Sequence, residues 1–231
     1  MTQRAKSVLV TGGTRGIGRA IAEELSPTHD LLIGGRDEAA VLRVCAQLRS
    51  AVPFVADLAD EEATSAAAGR IESLDAVVHS AGLLGHGRIT ELTRADWRMT
   101  MELNVIAVAD LTRLLLPQLR SARGHVIVIN SGSGYRSGAG GGLYSASKFA
   151  ARAFTDALRE EESASGVRVT SVHPGRVDTD MQRELVLAEG GTDYDGDRFI
   201  RPESIALTVR LALELPADAA MHEVSVRPGP R

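Results

Sequence analysis

Short aliphatic segments alternate with longer amphipathic segments along most of the chain. The aliphatic segments are apolar throughout, which is typical of parallel strands that helices cover on both faces. The predicted strands are Ser7–Val10, Leu31–Ile33, Pro53–Ala56, Ala76–His79, Val126–Ile129 and Val167–Val172. The predicted helices are Ile17–Leu25, Asp37–Leu48, Asp60–Ile71, a long tract from Thr93 to about Arg120, and a helix after Tyr144. This order predicts an α/β fold with a doubly wound parallel sheet.

Several polar residues and one proline bear on the helix boundaries. Asp37, Asp60 and Thr93 each precede a predicted helix, and their side chains can accept hydrogen bonds from its unpaired first-turn N–H groups. We therefore expect these three residues to be N-caps. Pro117 lies inside the long tract, where proline removes a backbone hydrogen bond, so we expect it to kink or end that helix.

Composition limits the kind of partner. The 231 residues fit a single domain over positions 1–231, with a glycine- and acid-rich substrate loop at about 181–201. Hydrophobic residues make up 44% of the chain and aromatic residues only 3%, so we expect an aliphatic core. A net charge of −4 without runs of like charge favours a small-molecule partner, with no nucleic acid and no membrane.

Cysteine and histidine positions, together with the first residues, bear on compartment and metal binding. Cys45 is the only cysteine, so no internal disulfide can form, as suits a reducing cytoplasm. The first residues enter a strand-like segment without the apolar region of a signal peptide, and no apolar stretch approaches about 18 residues. The six histidines show no metal-binding spacing. We expect a cytoplasmic protein without a bound metal.

A glycine-rich turn follows the first predicted strand. Residues 11–18 read TGGTRGIG, with Gly12, Gly16 and Gly18 placed for a tight turn and a close approach of backbone to phosphate. The next helix then directs its N-terminus at the anion. The position of this turn predicts a Rossmann-type dinucleotide-binding domain, with an ordinary strand-to-helix turn as the alternative.

Residues 144–148 read YSASK and contain one of only two lysines in the chain, Lys6 and Lys148, against 24 arginines. With three tyrosines and two lysines, a tyrosine four residues before a lysine is expected by composition only about 0.03 times. The pair of Tyr144 and Lys148 therefore indicates a functional requirement for lysine.

Together the glycine turn and YSASK resemble the short-chain dehydrogenase/reductase family, from about residue 7 to residue 179. The resemblance implies that Tyr144 and Lys148 are catalytic. It adds Ser131, which stands 13 residues before Tyr144 at the end of HVIVINS, and Asn104 in MELNVIAVADL. Asn104 would hold a water that relays protons from Lys148 toward solvent.

The same resemblance implies the cofactor-binding residues. They are Gly12, Thr14, Arg15, Gly16, Ile17, Gly18, Arg36, Asp57, Leu58, Ser80, Ala81, Gly82, Asn104, Tyr144, Lys148, Pro174, Gly175, Val177 and Thr179. Asp57 matches the acid near the adenine, and PGRVDT matches the segment that holds the nicotinamide carboxamide. HSAG at residues 79–82 departs from the usual Asn-Asn-Ala-Gly, and we expect altered strand support without loss of cofactor binding.

The chemistry explains why these residue types are needed. Hydride transfer between an alcohol and a nicotinamide requires proton transfer at the oxygen, and a free phenol with a pKa near 10 is a poor base at neutral pH. Lys148 lies one helical turn after Tyr144, and its charge, together with that of an oxidised nicotinamide, would favour the phenolate. Its compact ammonium group can also reach ribose hydroxyls. Ser131 would donate to the substrate oxygen as charge develops.

The end of the second strand bears on which cofactor binds. Where a relative that prefers NAD places an acid, this chain has Gly35, followed by Arg36. Arg36 and Arg15 could both contact a 2′-phosphate, which predicts NADP. The alternative is that Asp37 binds the ribose and gives a preference for NAD.

Three function classes remain to be compared. An NADP-dependent oxidoreductase acting on an alcohol or carbonyl compound explains all four catalytic positions, whereas a cofactor-sensing regulator on the same fold has no need of them. A sugar-nucleotide epimerase needs a larger C-terminal lobe than the roughly 50 residues after Thr179 supply. The resemblance also implies a homodimer or homotetramer, paired through helices containing AVADLTRLLL and FAARAFTDAL.

Overall fold

A computed structural model describes residues 4–229 of the chain. The strands are β1 Ser7–Val10, β2 Asp30–Gly35, β3 Ala51–Val55, β4 Ala76–His79, β5 His125–Ile129, β6 Arg168–Pro174 and β7 Glu223–Val226. The α-helices are α1 Gly16–Leu25, α2 Glu38–Cys45, α3 Glu61–Ala68, α4 Arg94–Met101, α5 Ala107–Ala122, α6 Gly142–Glu162, α7 Asp180–Ala188 and α8 Pro202–Glu214. A π-helical turn, Glu102–Ile106, joins α4 to α5.

The seven strands form one parallel sheet in the order β3-β2-β1-β4-β5-β6-β7. The direction of strand progression reverses between β1 and β4, and the carboxyl ends of parallel strands at such a point form a crevice that binds ligands. The sequence-based prediction of a doubly wound Rossmann-type α/β fold is confirmed.

Aliphatic cores lie on both faces of the sheet, and successive residues of β1 contribute to opposite sides. Val8 and Val10 join a core with residues of α1, α2 and α8, whereas Leu9 joins the other core with residues of α3 and α5. All three side chains are fully buried. Burial of both faces explains why the strand segments are apolar at every position.

The three predicted N-caps are confirmed. Asp37 Oδ1 accepts a hydrogen bond from the Ala40 N–H at 3.0 Å, and Asp60 Oδ1 accepts one from the Ala63 N–H at 3.0 Å. Thr93 forms a reciprocal capping box with Asp96. Each acceptor satisfies an N–H group that the helix itself leaves unpaired.

One local expectation needs correction, and one strand was not predicted. Of the two alternatives expected at Pro117, a kink or an end of the helix, the end is wrong, because α5 continues to Ala122. Leu115 and Leu119 on either side of the proline are fully buried, so packing holds the chain helical in spite of the lost hydrogen bond. The edge strand β7 was not predicted, because its residues alternate between polar and apolar and it is only four residues long.

The described part of the chain contains no helix long and apolar enough to span a membrane.

Candidate active site

The glycine turn after β1 lies at the switch point and is packed too tightly for side chains. Gly12 and Gly16 have positive φ angles of 63° and 55°. A Cβ on Gly12 would lie 2.9 Å from backbone atoms of Ala81, and one on Gly18 would lie 2.3 Å from the carbonyl oxygen of Gly12. The glycine turn is therefore in close contact with the first turn of α1 and with the segment after β4. A residue larger than glycine would not fit at positions 12 and 18.

The N-terminus of α1 suits an anion. Arg15 occupies the N-cap position, and its side chain forms no cap hydrogen bond with the first N–H groups of the helix. Ile17 of the first turn packs against the core, which fixes the direction of the helix. The arrangement matches a dinucleotide phosphate site. The Arg15 guanidinium is exposed and lies 3.9 Å from the Asp180 carboxylate.

Thr11 connects β1 to the segment at residues 79–82. Its Oγ1 accepts hydrogen bonds from the backbone N–H groups of Ser80 at 3.0 Å and Ala81 at 3.1 Å. A Cβ on Gly82 would lie 3.2 Å from Asn104 Oδ1, so this segment also contacts the π-helical turn. Ser80 and Ala81 thus lie beside the glycine turn, and Gly82 lies against Asn104.

His79 supports strand β4 through helix α5. Its Nε2 lies 2.9 Å from Thr112 Oγ1, and the Thr112 hydroxyl donates to the Val108 carbonyl at 2.7 Å. The Thr112 oxygen therefore accepts from a His79 Nε2–H group. Burial lowers the pKa of His79 to about 4, so the ring is neutral at physiological pH. His79 thus links β4 to α5 through Thr112.

The ends of β2 and β3 lie side by side. Ala56 N–H donates to the Gly35 carbonyl at 3.1 Å, which places the turn at Asp57 and Leu58 next to the end of β2. The Asp57 carboxylate accepts from the Ala59 N–H at 3.1 Å and so holds the turn. The predicted adenine-side residues therefore share one edge of the crevice.

Gly35, Arg36 and Asp37 follow in sequence at that edge. A Cβ on Gly35 would lie 2.8 Å from Val41 Cγ2 and 3.1 Å from Thr14 Cγ2. The Asp37 carboxylate is occupied as the N-cap of α2. Arg36 is exposed and forms no ion pair with any carboxylate of residues 4–229. Among residues 4–229, Arg36 is thus a cation without an ion-pair partner, next to Gly35, which has no side chain.

The PGRVDT segment closes the other side of the crevice. Gly175 N–H donates to the Val226 carbonyl at 2.7 Å, and buried Val177 forms a parallel bridge with Ile200. Thr179 is the N-cap of α7, and its Cγ2 lies 3.4 Å from the Cβ position of Gly16. The segment from Pro174 to Thr179 therefore reaches back to the phosphate turn.

Tyr144 and Lys148 lie one turn apart on α6. The Lys148 Nζ is 5.5 Å from the centre of the Tyr144 ring and donates to the Ile129 carbonyl at 3.1 Å. Burial raises the pKa of Tyr144 to about 12, while a hydrogen bond with Ser131 acts in the opposite direction. Burial lowers the pKa of Lys148 to about 8. In the protein alone the phenol is therefore protonated at neutral pH.

Asn104 lies in the π-helical turn and is almost fully buried. Its Oδ1 accepts from the Leu83 N–H at 2.8 Å, and its Nδ2 donates to the Leu83 carbonyl and to Ser147 Oγ, both at 3.0 Å. The Ser147 hydroxyl in turn donates to the Tyr144 carbonyl at 2.7 Å. Asn104 thus braces the loop after β4 against the helix that carries Tyr144 and Lys148.

Sequence reasoning missed the residues behind Ser131. His173 is completely buried, and its Nδ1 lies 3.0 Å from the Ser131 carbonyl oxygen. The Tyr135 ring stacks on His173 at 4.3 Å between centroids, and the Tyr135 hydroxyl donates to Glu223 at 3.0 Å. These contacts fix the backbone at Ser131. These partners lie 38 or more positions apart in sequence, so no local pattern could reveal them.

Comparison with known proteins agrees with this geometry. A family model described as short chain dehydrogenase matches residues 6–190. An uncharacterized short-chain type dehydrogenase/reductase of Sinorhizobium fredii is 36% identical, over 97% of this chain and 92% of its own length. Serine 3-dehydrogenase of Rhizobium radiobacter is 31% identical, over 96% and 93%. The alcohol dehydrogenase of the archaeon Thermococcus sibiricus, solved with 5-hydroxy-NADP, has a TM-score of 0.86 at 26% identity, over 96% of both chains.

The fold and the crevice define a dinucleotide-binding oxidoreductase. The chain belongs to the short-chain dehydrogenase family, whose members bind a nicotinamide dinucleotide and act on small molecules.

Proposed function

We propose that the protein is an NADP(H)-dependent oxidoreductase that interconverts a carbonyl compound and an alcohol, with Tyr144 as general acid and base. The observation that carries the proposal is the convergence of two groups on the Tyr144 phenol. The Ser131 side chain, just after β5, acts to lower the pKa of the phenol, and the Lys148 ammonium group lies 5.5 Å from the centre of the ring. A site that only binds a dinucleotide has no need of this arrangement.

When bound, the nicotinamide supplies or accepts the hydride. Tyr144 transfers the proton at the substrate oxygen, donating it during carbonyl reduction and accepting it during alcohol oxidation. The Ser131 hydroxyl donates to the same oxygen as negative charge develops. Lys148 stabilises the phenolate by its charge. The relay water implied at Asn104 would have to use its backbone or the remaining acceptor capacity of Oδ1, since the side chain already bonds Leu83 and Ser147.

The raised pKa of Tyr144 bears on the direction of the reaction. A phenol with a pKa of about 12 is almost entirely protonated at neutral pH, so the form that donates a proton during reduction is populated and the phenolate that accepts one during oxidation is scarce. The positive charge of an oxidised nicotinamide, added to that of Lys148, would favour the phenolate and make oxidation possible. Cofactor binding is therefore part of the activation of Tyr144.

NADP is the proposed cofactor because the adenosine end of the crevice offers cations, and position 35 at the end of β2 carries no carboxylate. Arg36 is exposed and unpaired among residues 4–229, and Arg15 has only a loose contact with Asp180. The carboxylate of Asp37 is used by the N-cap of α2, which weakens the alternative of NAD bound through that residue. The relative solved with 5-hydroxy-NADP is consistent with this choice.

We extend the proposal to one domain over residues 1–231 that forms a homodimer or homotetramer in the cytoplasm. Support for self-association comes from exposed hydrophobic side chains near the two helices expected to pair. Met99, Ile106 and Phe149 have 57%, 52% and 43% of their surface exposed. Burying such side chains between copies would remove apolar surface from water.

The test is a screen of alcohols and carbonyl compounds with the purified protein, followed by the absorbance of the reduced nicotinamide. Turnover with NADP or NADPH, faster than with NAD or NADH, is the expected result. Binding of NADPH without turnover of any compound would favour the second candidate, a non-catalytic dinucleotide-binding regulator. Absence of binding to either dinucleotide would contradict both.

A further inference from the structure

Arg227 directly follows β7 and lies against the residue after Ser131. A Cβ on Gly132 would lie 3.2 Å from Nη2 of Arg227 and 3.4 Å from its Cζ. The guanidinium therefore occupies the space that a side chain at position 132 would fill. Any residue larger than glycine there would displace the guanidinium from the neighbourhood of Ser131.

One edge of the guanidinium is held by the backbone. Nη1 of Arg227 donates to the carbonyl oxygen of His173 at 2.7 Å and to that of Val226 at 3.2 Å. His173 is also the residue whose ring contacts the Ser131 carbonyl. The same residue thus positions both Ser131 and Arg227, and the cation has a defined place relative to the reacting group.

The charge of Arg227 is not neutralised by a carboxylate. The described part of the chain provides no ion pair for it, whereas the neighbouring Arg152 pairs with Glu223 at 2.8 Å. The two carbonyl acceptors orient the guanidinium but carry no net charge. Arg227 is exposed, and within residues 4–229 its hydrogen bonds come from Nη1, with none from Nη2 or Nε. A positioned arginine with a free edge is suited to bind a planar carboxylate.

The place in the fold is one where substrates are expected. Arg227 lies at the carboxyl ends of β5, β6 and β7, beside the crevice edge of the sheet. Its guanidinium adjoins the residue next to Ser131 in sequence, and consecutive Cα atoms are only about 3.8 Å apart. A group bound there would lie a few bonds from the carbon that reacts.

We propose that Arg227 binds a carboxylate of the substrate, so that the enzyme acts on hydroxy acids and the corresponding oxo acids. This inference rests on the proposed function for the reaction itself, and adds the substrate class. The reacting carbon and the carboxylate are separated by a short chain, because Arg227 lies so near Ser131.

The experiment compares straight-chain 2-, 3- and 4-hydroxy acids of three to five carbons with their methyl esters, at saturating NADP. The wild type is compared with Arg227→Gln, Arg227→Lys and a control, Arg43→Gln, which removes an exposed arginine on α2. We expect the wild type to prefer at least one acid over its ester by tenfold or more. Arg227→Gln should raise the KM of that acid about 10- to 100-fold and leave the ester unchanged. Arg227→Lys should lie between, and Arg43→Gln should match the wild type.

A binding measurement separates this inference from the proposed function. Titration calorimetry of the same acids into the protein with bound NADP, using wild type and Arg227→Gln, reports the carboxylate site without turnover. If the acids bind the wild type more tightly than Arg227→Gln but no alcohol is oxidised, the proposed function is contradicted and the carboxylate site is supported. Turnover of esters as efficient as that of acids, or equal losses for acids and esters in Arg227→Gln, would overturn the carboxylate site and leave the reaction. Absence of binding and of acid preference would also overturn it.

Discussion

The Lys148 ammonium group lies 5.5 Å from the centre of the Tyr144 ring and donates to the Ile129 carbonyl at 3.1 Å. Ile129 is the last residue of β5, two positions before Ser131. The lysine therefore ties the helix that carries Tyr144 to the strand that carries Ser131. Its length and compact charge suit this buried position, where burial lowers its pKa to about 8.

Replacement of Lys148 by arginine is expected to lower kcat by at least tenfold although the positive charge is kept. A planar guanidinium cannot occupy the buried space of the ammonium group without moving Tyr144 or Ile129. The measurement is steady-state kinetics with a substrate that the wild type turns over. The control is Arg152→Lys, which exchanges one basic residue for another at a different position of the same helix. Near wild-type rates for Lys148→Arg would show that charge alone is needed.

Replacement of Tyr144 by phenylalanine is expected to abolish turnover and to leave NADPH affinity within a few-fold. Only the oxygen that exchanges the proton is removed, while the ring still fills its place between Ser131 and Lys148. Cofactor fluorescence measures binding, and absorbance of the reduced nicotinamide measures turnover. Tyr135→Phe is the comparison variant: its hydroxyl supports Ser131 only indirectly, through Glu223 and His173, so this variant should keep most of the activity. Substantial activity of Tyr144→Phe would show that the Tyr144 hydroxyl does not transfer the proton.

Replacement of Arg36 by alanine is expected to weaken NADP binding and leave NAD binding nearly unchanged. If Arg36 and Arg15 each contribute about 1.5 kcal/mol through a charge-assisted contact, the wild type prefers NADP by about a hundredfold and the variant by about tenfold. Dissociation constants for both cofactors provide the check, with Arg43→Ala as a surface control. Equal affinities of the wild type for NADP and NAD would refute the assignment.

Two buried histidines predict loss of stability in acid. Burial lowers the pKa of His79 to about 4 and that of His125 to about 3, both from 6.5. The unfolded chain then binds more protons than the folded protein below pH 6.5, so the free energy of unfolding falls as pH falls through this window. Each histidine contributes about 1.4 kcal/mol per pH unit until its folded pKa is reached.

Urea unfolding at several pH values between pH 7 and pH 4.5 tests this prediction. His79→Asn should lower the slope by about 1.4 kcal/mol per pH unit, which is the contribution of this one histidine. His222→Asn, at an exposed position, should leave the slope unchanged. A slope that is the same in all three proteins would mean that carboxylates, not the buried histidines, govern acid unfolding. Lower overall stability of His79→Asn does not affect this comparison, because the slope is measured within each protein.

The sequence predicts most of the fold and the composition of the candidate site. Strand cores and N-caps depend on local patterns, so their positions follow from periodicity and from single residues such as Asp37. Gly12 can be recognised in the sequence because a turn in which two backbone segments come close together requires glycine. These features need no knowledge of distant partners.

The supporting contacts could not be predicted. Asn104 bonds Leu83 and Ser147, 21 and 43 positions away, and no pattern near Asn104 specifies such partners. The π-helical turn adds one residue to a helical turn, and its sequence, ELNVI, has no composition that distinguishes it from an α-helix. Continuation of α5 through Pro117 depends on burial of leucines against the sheet, which outweighs the local preference of proline.

The confinement of Gly35 also limits how this enzyme can change during evolution or engineering. An aspartate at position 35 would require Val41 to move, and Val41 is fully buried and has a β-branched side chain with few alternative rotamers. A single substitution toward an acidic ribose contact therefore costs folding stability before it offers any benefit. The accessible route begins with a smaller residue at position 41, so the order of substitutions is constrained.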